Sequence, residues 1–99
     1  MDKEEIILKI STARNNAKLS ARKLSLNIAM HESYINRLES QKDFLPSMEV
    51  FFRILEECNC SAEKFFYHDP NNFEADMAIL DKFKTLSDDK KKALLEFIK

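Results

Sequence analysis

Residues 20–40 read SARKLSLNIAMHESYINRLES, and the placing of apolar residues in this stretch decides the fold class. Ser20 is a good helix N-cap, because its hydroxyl can take a backbone N–H that the first helical turn leaves without a partner. Leu24 and Ile28 follow at a spacing of four, and Ile35 and Leu38 at a spacing of three, so each pair shares one face of a helix. Nothing alternates with a period of two. The spacing predicts a short helix from Ser20 through Leu24 towards Ile28. It predicts a second from about His31 to Ser40, with Ser33, Asn36, Arg37 and Ser40 on the face opposite Ile35 and Leu38.

The same periodicity extends in both directions. Ile6, Ile7, Ile10, Ala13 and Ala17 form a stripe that predicts a first helix from about Glu4 to Ala17. Residues 41–46 read as a loop. Pro46-Ser47 then opens a fourth helix with Met48, Phe51, Ile54, Leu55 and Cys58 inward, and Ser61 caps a short fifth helix carrying Phe65 and Phe66. Residues 67–72, YHDPNN, are rich in turn formers. Two more amphipathic stretches follow, one with Phe73, Met77, Leu80 and Phe83, the other opening at Ser87 with Leu94, Phe97 and Ile98. Asp88 and Asp89 in its first turn complement the helix dipole. The expected organisation is all-α: a five-helix domain over residues 1–69 and a helical extension over residues 70–99.

Bulk composition excludes several classes. The chain has no glycine, so phosphate-cradling and dinucleotide-binding loops are ruled out. It has no run of about 18 apolar residues, and its start, Met1-Asp2-Lys3-Glu4-Glu5, lacks the basic and apolar regions of a signal peptide; a cytoplasmic protein is expected. Net charge is −1, but the acids are unevenly placed. Between Ile6 and His31 there is none, while Lys9, Arg14, Lys18, Arg22 and Lys23 fall in that stretch. One face of a near-neutral protein can therefore be cationic, the footprint of a nucleic-acid partner, although a solvated charge run produces the same pattern.

Two short helices a few residues apart inside a five-helix block form a helix-turn-helix unit. Leu19-Ser20, Leu24, Ile28, Met30, Tyr34-Ile35, Arg37-Leu38-Glu39, Pro46-Ser47 and Phe51 closely resemble the Cro and phage-repressor type of that family, without gaps from about Ile10 to Phe66. The resemblance implies a lambda-repressor-like five-helix domain that binds double-stranded DNA as a sequence-specific, repressor-like regulator, with helix 31–40 in the major groove. It implies base reading by Glu32, Ser33 and Arg37, and a structural ion pair between Arg14 and Glu39. Phosphate contacts are expected from Arg22, Lys23, Asn36 and Lys42; Tyr34 either joins them or packs in the core. The chain departs from the family at Ala21, usually Gln; at Ala29, often Gly; at His31, usually a Ser or Thr cap; and at Phe44 and Leu45, where polar residues are common.

Other readings are weaker. Cys58, Cys60 and His68 are close in sequence but fall short of the four ligands of a zinc site, and the resemblance puts both cysteines at apolar core positions. His31 and His68 have no nucleophile or carboxylate at a telling spacing, so no enzyme, metal or cofactor is expected. The extension is too short for a sizeable ligand pocket. It either packs back on the domain or builds a homodimer. The rival to a DNA reader is a protein-interaction module or antitoxin-like regulator with weak or no DNA binding.

Overall fold

The computed structural model describes all 99 residues, Met1 to Lys99, and is all-helical. The chain divides into two compact units, Met1–Phe66 and Tyr67–Lys99. The sequence places the break after residue 69; in the structure Tyr67 meets Phe73 edge-on and donates a hydrogen bond to Asp76, so it belongs to the second unit.

The first unit contains α1 (Lys3–Asn16), α2 (Ala21–Asn27), α3 (Tyr34–Gln41), α4 (Met48–Glu57) and α5 (Ala62–Phe66). Side-chain caps set most of the starts. Asp2 accepts from the N–H of Glu5 at 2.9 Å, Ser20 from Lys23 at 3.0 Å, Ser47 from Val50 at 3.2 Å and Ser61 from Lys64 at 3.1 Å. The core takes Ile7, Ile10 and Ala13 from α1, Leu24 and Ile28 from α2's face, and Tyr34, Ile35 and Leu38 from α3. Phe51, Ile54, Leu55 and Cys58 add α4's face, and Phe65 closes the end. Phe51 meets Phe65 edge-on, ring centres 5.0 Å apart. Burial pushes the Cys58 thiol up to about 11, as expected of a thiol that serves as a small hydrophobe. Met48, expected on the inward stripe, is exposed although Phe51 one turn later is buried.

The ends of the helices are more unusual than the starts. After α1 the N–H of Lys18 bonds to the Asn15 carbonyl and that of Leu19 to Arg14. After α2, Ala29 bonds to Leu26 and Met30 to Ser25; after α4, Asn59 bonds to Glu56 and Cys60 to Leu55. Each is a Schellman motif, which needs a left-handed residue just past the helix. With no glycine to supply it, Lys18, Ala29 and Asn59 adopt φ of 60°, 60° and 51°, and Lys42 ends α3 at 58°. For a residue with a Cβ this costs roughly 1–2 kcal/mol.

The second unit holds a single 3₁₀ turn (Pro70–Asn72), α6 (Phe73–Lys84) and α7 (Asp88–Ile98), the last capped by Ser87, which accepts from Lys90 at 3.3 Å. No helix in the chain is long and apolar enough to cross a membrane.

Ala29 is the only one of the four left-handed residues with neither a polar side chain nor a long stem to offset the strain. Ala29→Gly is expected to stabilise the protein by about 0.5–1 kcal/mol, part of the relief being offset by the freer unfolded chain. The melting temperature should rise by roughly 4 °C in a reversible thermal scan; an unchanged or lower value would contradict the strain.

Candidate nucleic-acid interface

An α3 of eight residues is too short to persist by itself in water, so its position must be imposed from outside. Two clamps do this. At its start, the hydroxyl of Ser25 accepts from the N–H of Ile35 at 3.0 Å and donates to the carbonyl of Ala21 at 2.7 Å. Ser25 is fully buried and is the only polar side chain in the core. It supplies from α2 the acceptor that one of α3's orphan N–H groups lacks. At the other end, Glu39 receives two hydrogen bonds from Arg14, Nε to Oε2 and Nη2 to Oε1, both 2.8 Å. Arg14 Nη1 also donates to the carbonyl of Leu19 at 2.8 Å, so one guanidinium joins α1, the link to α2 and the end of α3. The bidentate bond holds the Arg14 proton more firmly than usual, against a smaller opposing effect of burial.

The turn between α2 and α3 is built differently from what the sequence suggests. Helix 31–40 is expected, but α3 begins only at Tyr34. His31 stands where a Ser or Thr cap is usual, and its Nδ1 accepts from the Ser33 N–H at 3.2 Å and contacts the Ser33 hydroxyl at 2.8 Å. The Tyr34 N–H donates to the His31 carbonyl at 2.9 Å. These bonds hold residues 31–34 as a turn, so Glu32 and Ser33 precede the helix. Ser33 caps α3 without a side-chain hydrogen bond. The expected helical start is thus corrected by three residues.

On α3, Asn36, Arg37 and Ser40 are exposed while Ile35 and Leu38 are completely buried on the other side. Arg22 and Lys23 are exposed on α2, and Lys42 at the end of α3. Tyr34 alone of the expected phosphate-contacting residues is buried; its ring meets Phe44 edge-on at 5.8 Å, and burial raises its hydroxyl pKa against the opposing charge of Arg37. Phe44 therefore has a packing role in a loop that is usually polar. Glu32 is not an isolated acid: Arg22 Nε lies 3.1 Å from its Oε2. Both side chains are well exposed, so this pair contributes little stability, but it couples a residue expected on phosphate to one expected on a base.

The sequence model of the family described as Helix-turn-helix matches residues 10–65. The chain belongs to the helix-turn-helix family, in its Cro and C1 type. No curated protein and no solved structure matches it. Helix-turn-helix proteins of this type are DNA-binding transcription regulators, typically non-enzymatic. In this helix-turn-helix unit α2 is the bracing helix and α3 the one whose outer face is left open. The residue that sequence reasoning passes over is Ser25: a serine one position after Leu24 in a short amphipathic helix reads as neutral, and only its apolar neighbours hint that it faces inward.

Removing either clamp should loosen α3. Ser25→Ala orphans the buried Ile35 N–H and is expected to cost about 1–3 kcal/mol, and Arg14→Ala about 3 kcal/mol by stranding Glu39. Urea denaturation with unchanged m-values is the measurement. Parent-like midpoints for both variants would mean that α3 is held by apolar packing alone.

Proposed function

We propose that the protein is a sequence-specific, repressor-like regulator that lays α3 in the major groove of double-stranded DNA and works as a homodimer. The observation that carries the reading is the two-sided character of α3. One face is locked into the core at both ends, and the other offers Asn36, Ser40 and Arg37, all exposed, the Arg37 guanidinium in no side-chain hydrogen bond or ion pair. A rigid rod with a free guanidinium on its outer face suits a guanine edge, which takes two parallel N–H donors at O6 and N7. Ser33 and Glu32, at the mouth of the helix, reach neighbouring bases, Glu32 by accepting from a cytosine amino group. Arg22, Lys23, Asn36 and Lys42 take phosphates, and Tyr34, its ring buried, contributes only through its hydroxyl. One such unit makes few contacts, and two copies would address half-sites roughly 34 Å apart.

The Arg22–Glu32 pair favours a second reading. A cation already matched by an anion, on a chain of net charge −1, also suits a protein-interaction module or antitoxin-like regulator with weak DNA binding. Salt dependence separates the two, since only a phosphate-binding surface releases counterions.

Selection from random duplexes, followed by fluorescence anisotropy over a range of salt, is the test. A palindromic consensus and a steep loss of affinity with salt are expected. Arg37→Ala should cut discrimination at one base pair roughly tenfold or more. Lys42→Ala should weaken all duplexes alike and lower the salt slope by about one. Glu32→Gln should strengthen binding to random duplexes, by removing an anion from the phosphate path and releasing Arg22, and should narrow the preference at the base pair that Glu32 reads. Absence of salt-dependent binding to any duplex would leave the interaction module standing instead.

A further inference from the structure

We infer that the charge on His31 sets whether the Ser33 hydroxyl donates or accepts, and with it the base edge favoured at the mouth of α3. This deepens the reading of the protein as a major-groove binder, on which it rests.

The backbone fixes where the protons are. The Ser33 N–H points at His31 Nδ1, 3.2 Å away. An amide N–H can only donate, so Nδ1 holds a lone pair and the neutral ring carries its proton on Nε2. The Ser33 hydroxyl lies 2.8 Å from the same nitrogen. Facing a lone pair, it donates as well, and its one hydrogen is used up. What remains for a ligand is an oxygen with acceptor capacity alone. His31 is exposed, so its ring exchanges protons directly with solvent, and Ser33 is half-buried at the cap of α3.

Protonation reverses the arrangement. An imidazolium carries hydrogen on both nitrogens, and Nδ1–H then donates to the Ser33 oxygen across the same gap. The hydroxyl hydrogen is released, and Ser33 offers a donor. Histidine is the side chain that changes charge between about pH 5 and 8; the Ser or Thr usual at this position has nothing to titrate there. Of the charged groups on this turn and on the helices it joins, Glu32 is bound to Arg22 and Glu39 to Arg14, which leaves Lys23 and Arg37. From α4, Arg53 reaches the Ile28 carbonyl at the end of α2. Base edges distinguish the two states, since cytosine N4 is a donor whereas guanine O6 and N7 are acceptors. With a neutral ring Ser33 favours cytosine; with a charged ring it favours guanine.

Fluorescence anisotropy on duplexes carrying each base pair in turn, at every position of the selected half-site, tests this at about pH 8 and about pH 5.5. The pair whose preference Ser33→Ala removes is the one that Ser33 reads. There the parent should favour cytosine over guanine roughly fivefold at the higher pH, and lose or reverse that preference at the lower. The ratio is the readout, because a charged ring near phosphates strengthens all duplexes alike. His31→Asn supplies a side-chain oxygen that takes the Ser33 N–H at any pH, as in an Asx turn, and should keep the high-pH preference at both. A parent ratio that does not move with pH overturns the inference. So does a ratio that moves equally in His31→Asn, or a Ser33→Ala protein with every preference intact. Imidazole ¹⁵N spectra of the free protein give a measurement that needs no DNA: at the higher pH Nε2 should carry the proton, and a proton on Nδ1 overturns the inference. If the parent prefers no duplex while the spectra show Nε2–H, the proton arrangement stands and the groove reading falls.

Discussion

Everything on the outer face of α3 depends on a helix that cannot support itself. Eight residues provide only a few intrahelical hydrogen bonds, while nucleation fixes several backbone dihedrals in advance. The structure meets this cost at both ends. The Ser25 hydroxyl holds the first turn through the Ile35 N–H, and the Arg14 guanidinium grips Glu39 in the last. Both bonds are directional, unlike the apolar contacts of Ile35 and Leu38 between them. Packing alone would tolerate a small roll of α3 about its axis. Two hydrogen-bonded ends do not, and the azimuth of Arg37 is thereby set.

The same demand for defined angles explains the ends of the other helices. Three Schellman motifs turn the chain sharply after α1, α2 and α4, and each places an apolar or half-buried residue, Leu19, Met30 or Cys60, at the point where the chain turns back towards the core. Arg53 on α4 adds a bond to the Ile28 carbonyl at the end of α2, at 3.3 Å. Without glycine these turns carry strain at Lys18, Ala29 and Asn59, and the fold keeps them nonetheless. Sharp turns of defined hand are what bring α1, α2 and α3 close enough for Arg14 to reach two of its neighbours at once.

Local rules made much of this legible. Ser20, Ser47, Ser61 and Ser87 announce four helix starts, and in each case the hydroxyl takes the expected N–H. The i, i+3 and i+4 stripes locate the core of α1, α3 and α4, apart from Met48, which is exposed. The start of α3 was illegible for a different reason. His31 takes the Ser33 N–H through a ring nitrogen and closes a turn ahead of the helix, while the apolar pattern by itself runs on as if the helix began there. Nor could spacing reveal the pairing of Arg22 with Glu32 or the inward bond of Ser25. Those depend on how two elements dock, which is non-local information that the residue order carries only through the finished fold.

That docking also bears on how charge is distributed in a chain of net charge −1. Three acidic residues of the first unit are matched by a cation: Glu39 by Arg14, Glu32 by Arg22, and Glu49 by Arg53 at 2.6 Å. Matched pairs contribute almost no field beyond a Debye length of about 8 Å at physiological salt. Pairing at Glu32 differs from the other two in one respect. The Arg14–Glu39 pair is 14% and 16% exposed and structurally committed, whereas Arg22 and Glu32 are open to solvent and can separate at little cost. An anion approaching Arg22 competes with Glu32 for the same guanidinium, and Glu32, once released, is repelled by phosphate and satisfied only by a donor. Under the proposed reading the pair would make occupation of one phosphate contingent on the neighbouring base, a coupling that neither residue would provide alone.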